Sequence, residues 1–155
     1  MNNLCYYQLP VLGRCGIEEE DGQIRRLLLG AEADGREQGS ESALLRRAAE
    51  QLGQYLRGER RRFDLPLAPE GTAFQQKVWA ALEQVEWGSS CSYGELAAAV
   101  GCPGGARAVG GAVGANPIPI LIPCHRVLAA GGRLGGFRLG AELKCRLLEL
   151  EGHAF

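Results

Sequence analysis

Hydrophobic and polar positions fall into two sets of elements, separated by a proline-punctuated stretch that ends at Pro69. Before it, Leu4 to Val11 (Leu-Cys-Tyr-Tyr-Gln-Leu-Pro-Val) and Ile24 to Leu29 are short, apolar-rich runs that predict strands. Glu18-Glu-Glu-Asp-Gly22 between them predicts a solvated turn, and Ala31 to Gly39 a polar loop. From Ser42 to Leu56 the apolar residues Leu44, Leu45, Ala48, Leu52, Tyr55 and Leu56 recur at helical spacing, and Gly58 ends the run. Phe63 to Pro69 carries Pro66 and Pro69 and reads as a linker. The arginines of 57–62 are expected on a solvated face.

Beyond residue 70 the signals are helical. Thr72-Ala-Phe-Gln75 is a capping box, since the Thr hydroxyl can accept from the third backbone N–H while Gln75 reaches back. The helix it opens should run to about Val85, with Phe74, Val78, Leu82 and Val85 on one stripe. Ser92-Tyr-Gly-Glu95 is a second capping box, opening a helix from Tyr93 to Val100. Cys102-Pro-Gly-Gly105 connects it to Ala106-Arg-Ala-Val-Gly-Gly-Ala-Val-Gly114, a helix of small residues. Two short helices joined by a glycine-containing turn form a helix-turn-helix candidate. A closing amphipathic helix, Ala141 to Glu151, should bury Leu143, Leu147 and Leu150, with Glu142 and Arg146 paired four residues apart.

The small-residue helix offers one long charged side chain, Arg107. Glycine and alanine at most positions permit close approach, either to a neighbouring helix or to a narrow groove. Major-groove readers need several long polar side chains for base edges. Their absence places this helix in a minor groove, where shape dominates.

Composition narrows the field. With 155 residues, 46% of them hydrophobic, the chain suits one domain or two small ones. The first 70 residues carry 10 basic and 12 acidic side chains, the remainder 7 and 6, so a generally basic nucleic-acid binder is excluded and any DNA contact must be local. No apolar run reaches the roughly 20 residues of a membrane span, and the N-terminal residues lack signal-peptide character, so a cytoplasmic location is expected. Six cysteines without a Cys-x-x-Cys pair, and only two histidines, argue against a structural zinc site and against a disulfide framework.

The chemistry concentrates in Asn116-Pro-Ile-Pro-Ile-Leu-Ile-Pro-Cys-His-Arg-Val127. Prolines 117, 119 and 123 predict a stiff, extended, apolar support. It ends on Cys124 beside His125, the arrangement a nucleophilic thiol needs. The glycine-rich stretch Ala129 to Phe137 follows and suits a pocket wall for a flat ligand; it has no phosphate-loop pattern.

From Gly71 to Gly152 the sequence resembles the O6-alkylguanine-DNA alkyltransferase family, the methylated-DNA–protein-cysteine methyltransferases. Gly71-Thr-x-Phe-Gln-Gln-Lys-Val-Trp79, Ser92-Tyr-Gly-Glu95, Ala106-Arg-Ala-Val-Gly-Gly111, Asn116-Pro-Ile-Pro-Ile and Ile122-Pro-Cys-His-Arg-Val127 carry the resemblance. It implies residues 1–70 as an α/β structural domain with a ribonuclease-H-like small sheet and a linker. Residues 71–155 become a mainly α domain that binds DNA through a helix-turn-helix and accepts the alkyl group. Cys124 is similar to the family's acceptor, and His125 to the group that takes its proton through a water. Glu151 resembles the carboxylate that orients the histidine, and Asn116 the anchor of the active-site turn. Tyr93 resembles the hydroxyl that helps extrude the nucleotide and protonates guanine, and Arg107 the finger that fills the gap in the base stack.

By the same resemblance Ala106, Ala108, Gly110 and Gly111 would lie on DNA. Val113, Val127, Phe137 and Arg138 would form the substrate pocket, with the carbonyls of Cys124 and Val127 facing the guanine amino group. The implied activity is one irreversible transfer per molecule from O6-alkylguanine, with O4-alkylthymine as a second candidate, in a flipped-out nucleotide. No cofactor is implied, and the expected state is a monomer, with cooperative assembly on DNA left open. Phe137 stands where many relatives carry Tyr, and Arg138 and Leu139 replace small residues of some members, which bears on the size of group accepted. The alternatives are a non-catalytic alkylated-DNA sensor, which would lack the acceptor cysteine, a Cys-His-Glu hydrolase, which would turn over, and a sequence-specific helix-turn-helix regulator.

Overall fold

Three antiparallel strands in sequence order begin the fold: β1 (Asn2–Leu9), β2 (Gly13–Glu20) and β3 (Gln23–Leu29). The structure, a computed structural model, describes residues 2–154 and divides into two compact units between Glu70 and Gly71. β1 stops at Leu9, short of the expected Val11. Val11 instead turns the chain with φ 68, a left-handed backbone that a β-branched residue adopts only at some cost.

The expected solvated turn at 18–22 is a correction. Glu18, Glu19 and Glu20 belong to β2, and only Asp21 and Gly22 turn. Glu18 is buried and lies between Leu4 and Arg26 in the register. The sequence hid this strand because Gly13, Gly16 and three glutamates break the apolar pattern. The ladder to β1 and β3 supplies what the side chains do not. The sheet's buried residues, Cys5, Cys15, Ile17 and Leu27 among them, accompany the buried face of α1 (Ala43–Leu56), where Leu45, Ala48, Leu52 and Tyr55 are almost wholly buried. Ser42 caps that helix by accepting from the Leu45 N–H at 3.1 Å. The proline-rich stretch is not a free linker at its centre: Ile24 donates to Pro66 O, and Ala68 to Ile24 O, both at 2.8 Å.

The second unit is mainly helical. α2 (Ala73–Leu82) and α3 (Tyr93–Ala99) both open on complete capping boxes, Thr72 with Gln75 and Ser92 with Glu95. α2 stops at Leu82 and short turns carry the chain to Val85. α4 (Ala106–Gly114) packs on both, burying Val109, Ala112 and Val113. Trp79 fixes α2 to α4, since its indole Nε1–H donates to Ala112 O at 2.8 Å inside the core. A two-residue parallel pair joins β4 (Cys91–Ser92) to β5 (Val127–Leu128), which ties the start of α3 to the chain just after Cys124-His125-Arg126. α5 (Ala141–Leu150) closes the unit. Among the described residues no helix is long and apolar enough to cross a membrane. The architecture, a small sheet with a helix followed by a helical unit containing a helix-turn-helix, is the one expected.

Candidate active site

The segment leading to Cys124 is rigid, as its prolines require, yet it is folded rather than extended. Ile122 N–H donates to Ile118 O at 2.9 Å, closing a turn in which Ile120 takes φ 74. A β-branched residue in the left-handed region stores on the order of 1–3 kcal/mol of strain, held by its surroundings. Asn116 is the clamp: its Oδ1 accepts from Ile118 N–H at 3.0 Å, and its Nδ2 donates to Ile122 O at 2.9 Å. Cys124 then begins a single 3-10 turn, Cys124–Arg126. Prolines exclude a helix only where they stand. The three residues after Pro123 were free to coil, which the expectation of an extended run overlooked.

Burial pushes the Cys124 thiol upward from its ordinary 9.0. The Asn116 amide, the Arg138 guanidinium and the backbone N–H groups of Cys124 and Ile120 pull the other way. The thiol therefore rests protonated but is surrounded by groups that favour its anion. His125 is fully buried, and its burial depresses it below 6.5 despite Glu151 beside it, with Arg126 and Lys144 adding to the depression. A neutral imidazole next to a protonated thiol is in the right state to accept a proton.

Glu151, at the C-terminal end of α5, organises the interior behind Cys124. Its Oε2 lies 2.8 Å from His125 Nε2. Arg126 grips both oxygens, Nε to Oε1 and Nη2 to Oε2 at 2.9 Å each, while its Nη1 donates to Val85 O at 2.7 Å. Gly88 N–H also faces Oε1 at 3.4 Å.

A cavity of about 220 Å3 opens on Cys124 and is lined by Tyr93, Gly110, Val113, Gly114, Pro119, Gly136, Phe137, Arg138 and Leu139. It is smaller than the roughly 300 Å3 at which pockets for drug-sized ligands begin. Tyr93 is half-buried there. Burial raises its hydroxyl, and Cys124 and Cys91 add to the rise, so it stays protonated as a donor. Of the anticipated pocket residues, Val113, Phe137 and Arg138 line this cavity. Val127 does not: it is fully buried in β5, where pairing with Cys91 turns it into the unit's core. Arg107, Ala108 and Gly111 occupy the exposed face of α4, Ala106 and Gly110 are half-buried, and Gly110 borders the cavity.

Two residues at this site lay outside the sequence reading. The sequence gives Arg126 no role, although it follows His125 directly. Lys144 is wholly buried and donates from Nζ to Gly136 O at 3.0 Å. The signal was a helical stripe: Lys144, Leu147, Leu148 and Glu151 form the buried face of α5, one notch from the expected Leu143, Leu147 and Leu150.

Comparison with known proteins covers both units. The family model for the DNA-binding domain of 6-O-methylguanine DNA methyltransferase matches residues 73–153, and that for its ribonuclease-like domain matches residues 5–69. The chain belongs to the 6-O-methylguanine DNA methyltransferase family. The constitutive methylated-DNA–protein-cysteine methyltransferase of Bacillus subtilis is 45% identical over 148 residues, 90% of each chain. That of Methanosarcina acetivorans is 50% identical over 107 residues, 69% of each. The crystal structure of Mycobacterium tuberculosis OGT in complex with DNA is similar at a TM-score of 0.88 with 38% identity, covering 96% of this chain and 92% of that one. The methyltransferase family thus spans both units, including the first, where the sequence reading had found only general likeness.

Proposed function

We propose that the protein repairs DNA by moving a methyl or other small alkyl group from O6-alkylguanine in duplex DNA onto Cys124, irreversibly and once per molecule. The observation that carries this is Cys124 at the floor of a small cavity with the buried His125–Glu151 pair behind it. The designation shared by its relatives, methylated-DNA–protein-cysteine methyltransferase, supports the reaction class, and the relative crystallised with DNA supports duplex DNA as partner.

His125 takes the Cys124 proton through a water, with Glu151 holding the ring through Nε2 and stabilising the imidazolium that forms. The thiolate attacks the alkyl carbon in line. A carbon–sulfur bond forms, the carbon–O6 bond breaks, and its electron pair passes into the purine. Guanine is a poor leaving group unless it is protonated, and Tyr93 supplies that proton from the cavity wall. The product is a thioether that no neighbouring group can cleave, so the protein is consumed. O4-alkylthymine presents the same carbon–oxygen bond and falls within the reading.

A base inside the duplex cannot reach a buried sulfur, so the nucleotide must flip out at a cost of a few kcal/mol. Arg107 projects from α4 to fill the gap, while Ala106, Ala108, Gly110 and Gly111 bring the helix backbone against the minor groove. Phe137 and Arg138 wall the pocket, the first unit serves as a scaffold, and the protein works as a monomer without a cofactor.

Titrating the protein with a duplex containing O6-methylguanine tests this. Repaired lesions should plateau at one per molecule, and Cys124→Ala should repair none while holding duplex within about threefold of the wild-type affinity. Continued turnover past the plateau, the behaviour of a Cys-His-Glu hydrolase, would overturn the reading.

A further inference from the structure

A second cleft, of about 610 Å3, lies wholly within the first unit. Asn2, Leu4 and Glu18 line it from the sheet, and residues 34–39 line it from the polar stretch that follows β3. That stretch is fastened to β1, an edge strand of the sheet. Gly39 N–H donates to Leu4 O at 2.7 Å, Tyr6 N–H donates to Gln38 Oε1 at 3.3 Å, and the Tyr6 hydroxyl lies 2.7 Å from Ala33 O. Hydrogen bonds between distant parts of the chain therefore hold the wall in place.

Three carboxylates line the cleft, Glu18, Asp34 and Glu37, against one guanidinium, Arg36. Asp34 and Glu37 are exposed, and Asp34 lies 3.8 Å from Arg14. Glu18 is different. It is 8% exposed, and among the described residues no hydrogen bond or ion pair reaches its carboxylate. Arg26 stands opposite it in the ladder without forming an ion pair. Arg25, at the register shift beside it, turns to Glu20 at 3.6 Å and Glu70 at 3.3 Å. The sheet face around Glu18 is otherwise apolar, with Leu4, Leu28 and Ala33 packed together. Packing alone would not place a carboxylate there, and one shielded from water without a partner is costly.

The group that answers such a carboxylate is a cation. A metal ion does not suit the cleft, because among the described residues no three acidic, cysteine or histidine side chains stand close enough to hold one. An ammonium on a flexible stem does, since it brings one charge and three donors to a single carboxylate. The acidic groups run from the buried Glu18 to the exposed Asp34 and Glu37, which matches a chain charged at both ends, with its methylenes along Leu4. We propose that this cleft binds a small aliphatic polyamine, with one ammonium on Glu18 and the others toward Asp34 and Glu37. The site is independent of the reading of Cys124.

Isothermal titration calorimetry of the full chain with spermidine tests this, at about 150 mM salt so that diffuse attraction is screened. The wild type is compared with Glu18→Gln, with the double variant Asp34→Asn/Glu37→Gln, and with Glu50→Gln, which removes an exposed carboxylate of α1 outside the cleft. The wild type and Glu50→Gln should each bind one spermidine with the same affinity. Glu18→Gln and the double variant should each bind about tenfold more weakly, as loss of charge-assisted contacts implies. n-Butylamine, with a single charge, should bind at least about tenfold more weakly than spermidine, and equimolar magnesium should displace none of it. No saturable binding, equal affinity in the wild type and Glu18→Gln, or equal weakening in Glu50→Gln would overturn the inference, and displacement by magnesium would assign the cleft to a metal ion instead. Circular dichroism checks each fold. If Glu18→Gln does not fold, the double variant, changed only at exposed positions, decides alone, and wild-type affinity there would overturn the inference.

Discussion

Glu151 is the residue on which the interior of the site depends. It meets Arg126 through both oxygens and His125 through one, and it is almost wholly buried. Removing one partner of such a set strands the other charge away from water, at a cost of roughly 3–5 kcal/mol. Glu151→Ala should lose stability of that order in urea denaturation and slow transfer as well. A loss under about 1 kcal/mol would mean that water replaces the carboxylate freely and that the residue does not organise the site. At this scale the sequence was legible where chemistry is local. Cys124 and His125 adjoin, and Asn116 stands at the head of their segment. Arg126 and Lys144 were not legible, because a charged side chain gives no sign along the chain that it will be buried; only the register of α5 shows that Lys144 faces inward.

At the scale of elements, α4 poses the clearest question. Arg107, Ala108, Gly111 and Gly114 lie on its exposed side, and a Cβ added at Gly111 or Gly114 would meet nothing within 4 Å. Packing inside the protein therefore does not require glycine there, and glycine weakens a helix by about 1 kcal/mol relative to alanine. Gly111→Ala should raise stability by roughly 0.5–1 kcal/mol while weakening binding to duplex DNA. A variant that is more stable and binds duplex as well as the wild type would remove this helix from the DNA surface. Arg107→Ala belongs to the same face: it should slow repair in duplex DNA yet react almost normally with a free benzylguanine-type base. Equal losses on both substrates would refute the finger. The capping boxes of α2 and α3 were legible because their hydrogen bonds are made within four residues. β2 was not, because its stability comes from two partner strands, which a pattern read along one strand cannot reveal.

For the whole molecule, buried titrating groups set the pH range of stability. His125 is depressed below 6.5, so under acid the unfolded chain takes a proton that the folded chain refuses, and stability falls as pH drops below that value. Cys124 and Cys15 are raised from 9.0, Cys15 to about 12, so above pH 9 the unfolded chain loses protons that the folded chain retains. Stability should then fall with rising pH by about 1.4 kcal/mol per unit for each such thiol. Lys144, depressed from 10.5, opposes this with one group only. Urea midpoints from pH 5 to 11 should form a plateau between about 6.5 and 9, and a midpoint still climbing at pH 11 would contradict the assigned burial. The division into a small sheet with a helix and a helical half was legible in the proline-punctuated stretch 63–69 and the capping box that follows it, whereas the fold of the cysteine segment, set by Asn116 and the strained Ile120, was not.

On the proposed mechanism one sulfur permanently receives the carbon. The most direct measurement is peptide mass mapping after incubation with a duplex whose O6-methyl group is isotopically labelled. One labelled methyl is expected on Cys124 for every lesion lost, stable to further incubation. A vanished lesion with Cys124 unmodified, and the label on another residue or released into solution, would contradict it.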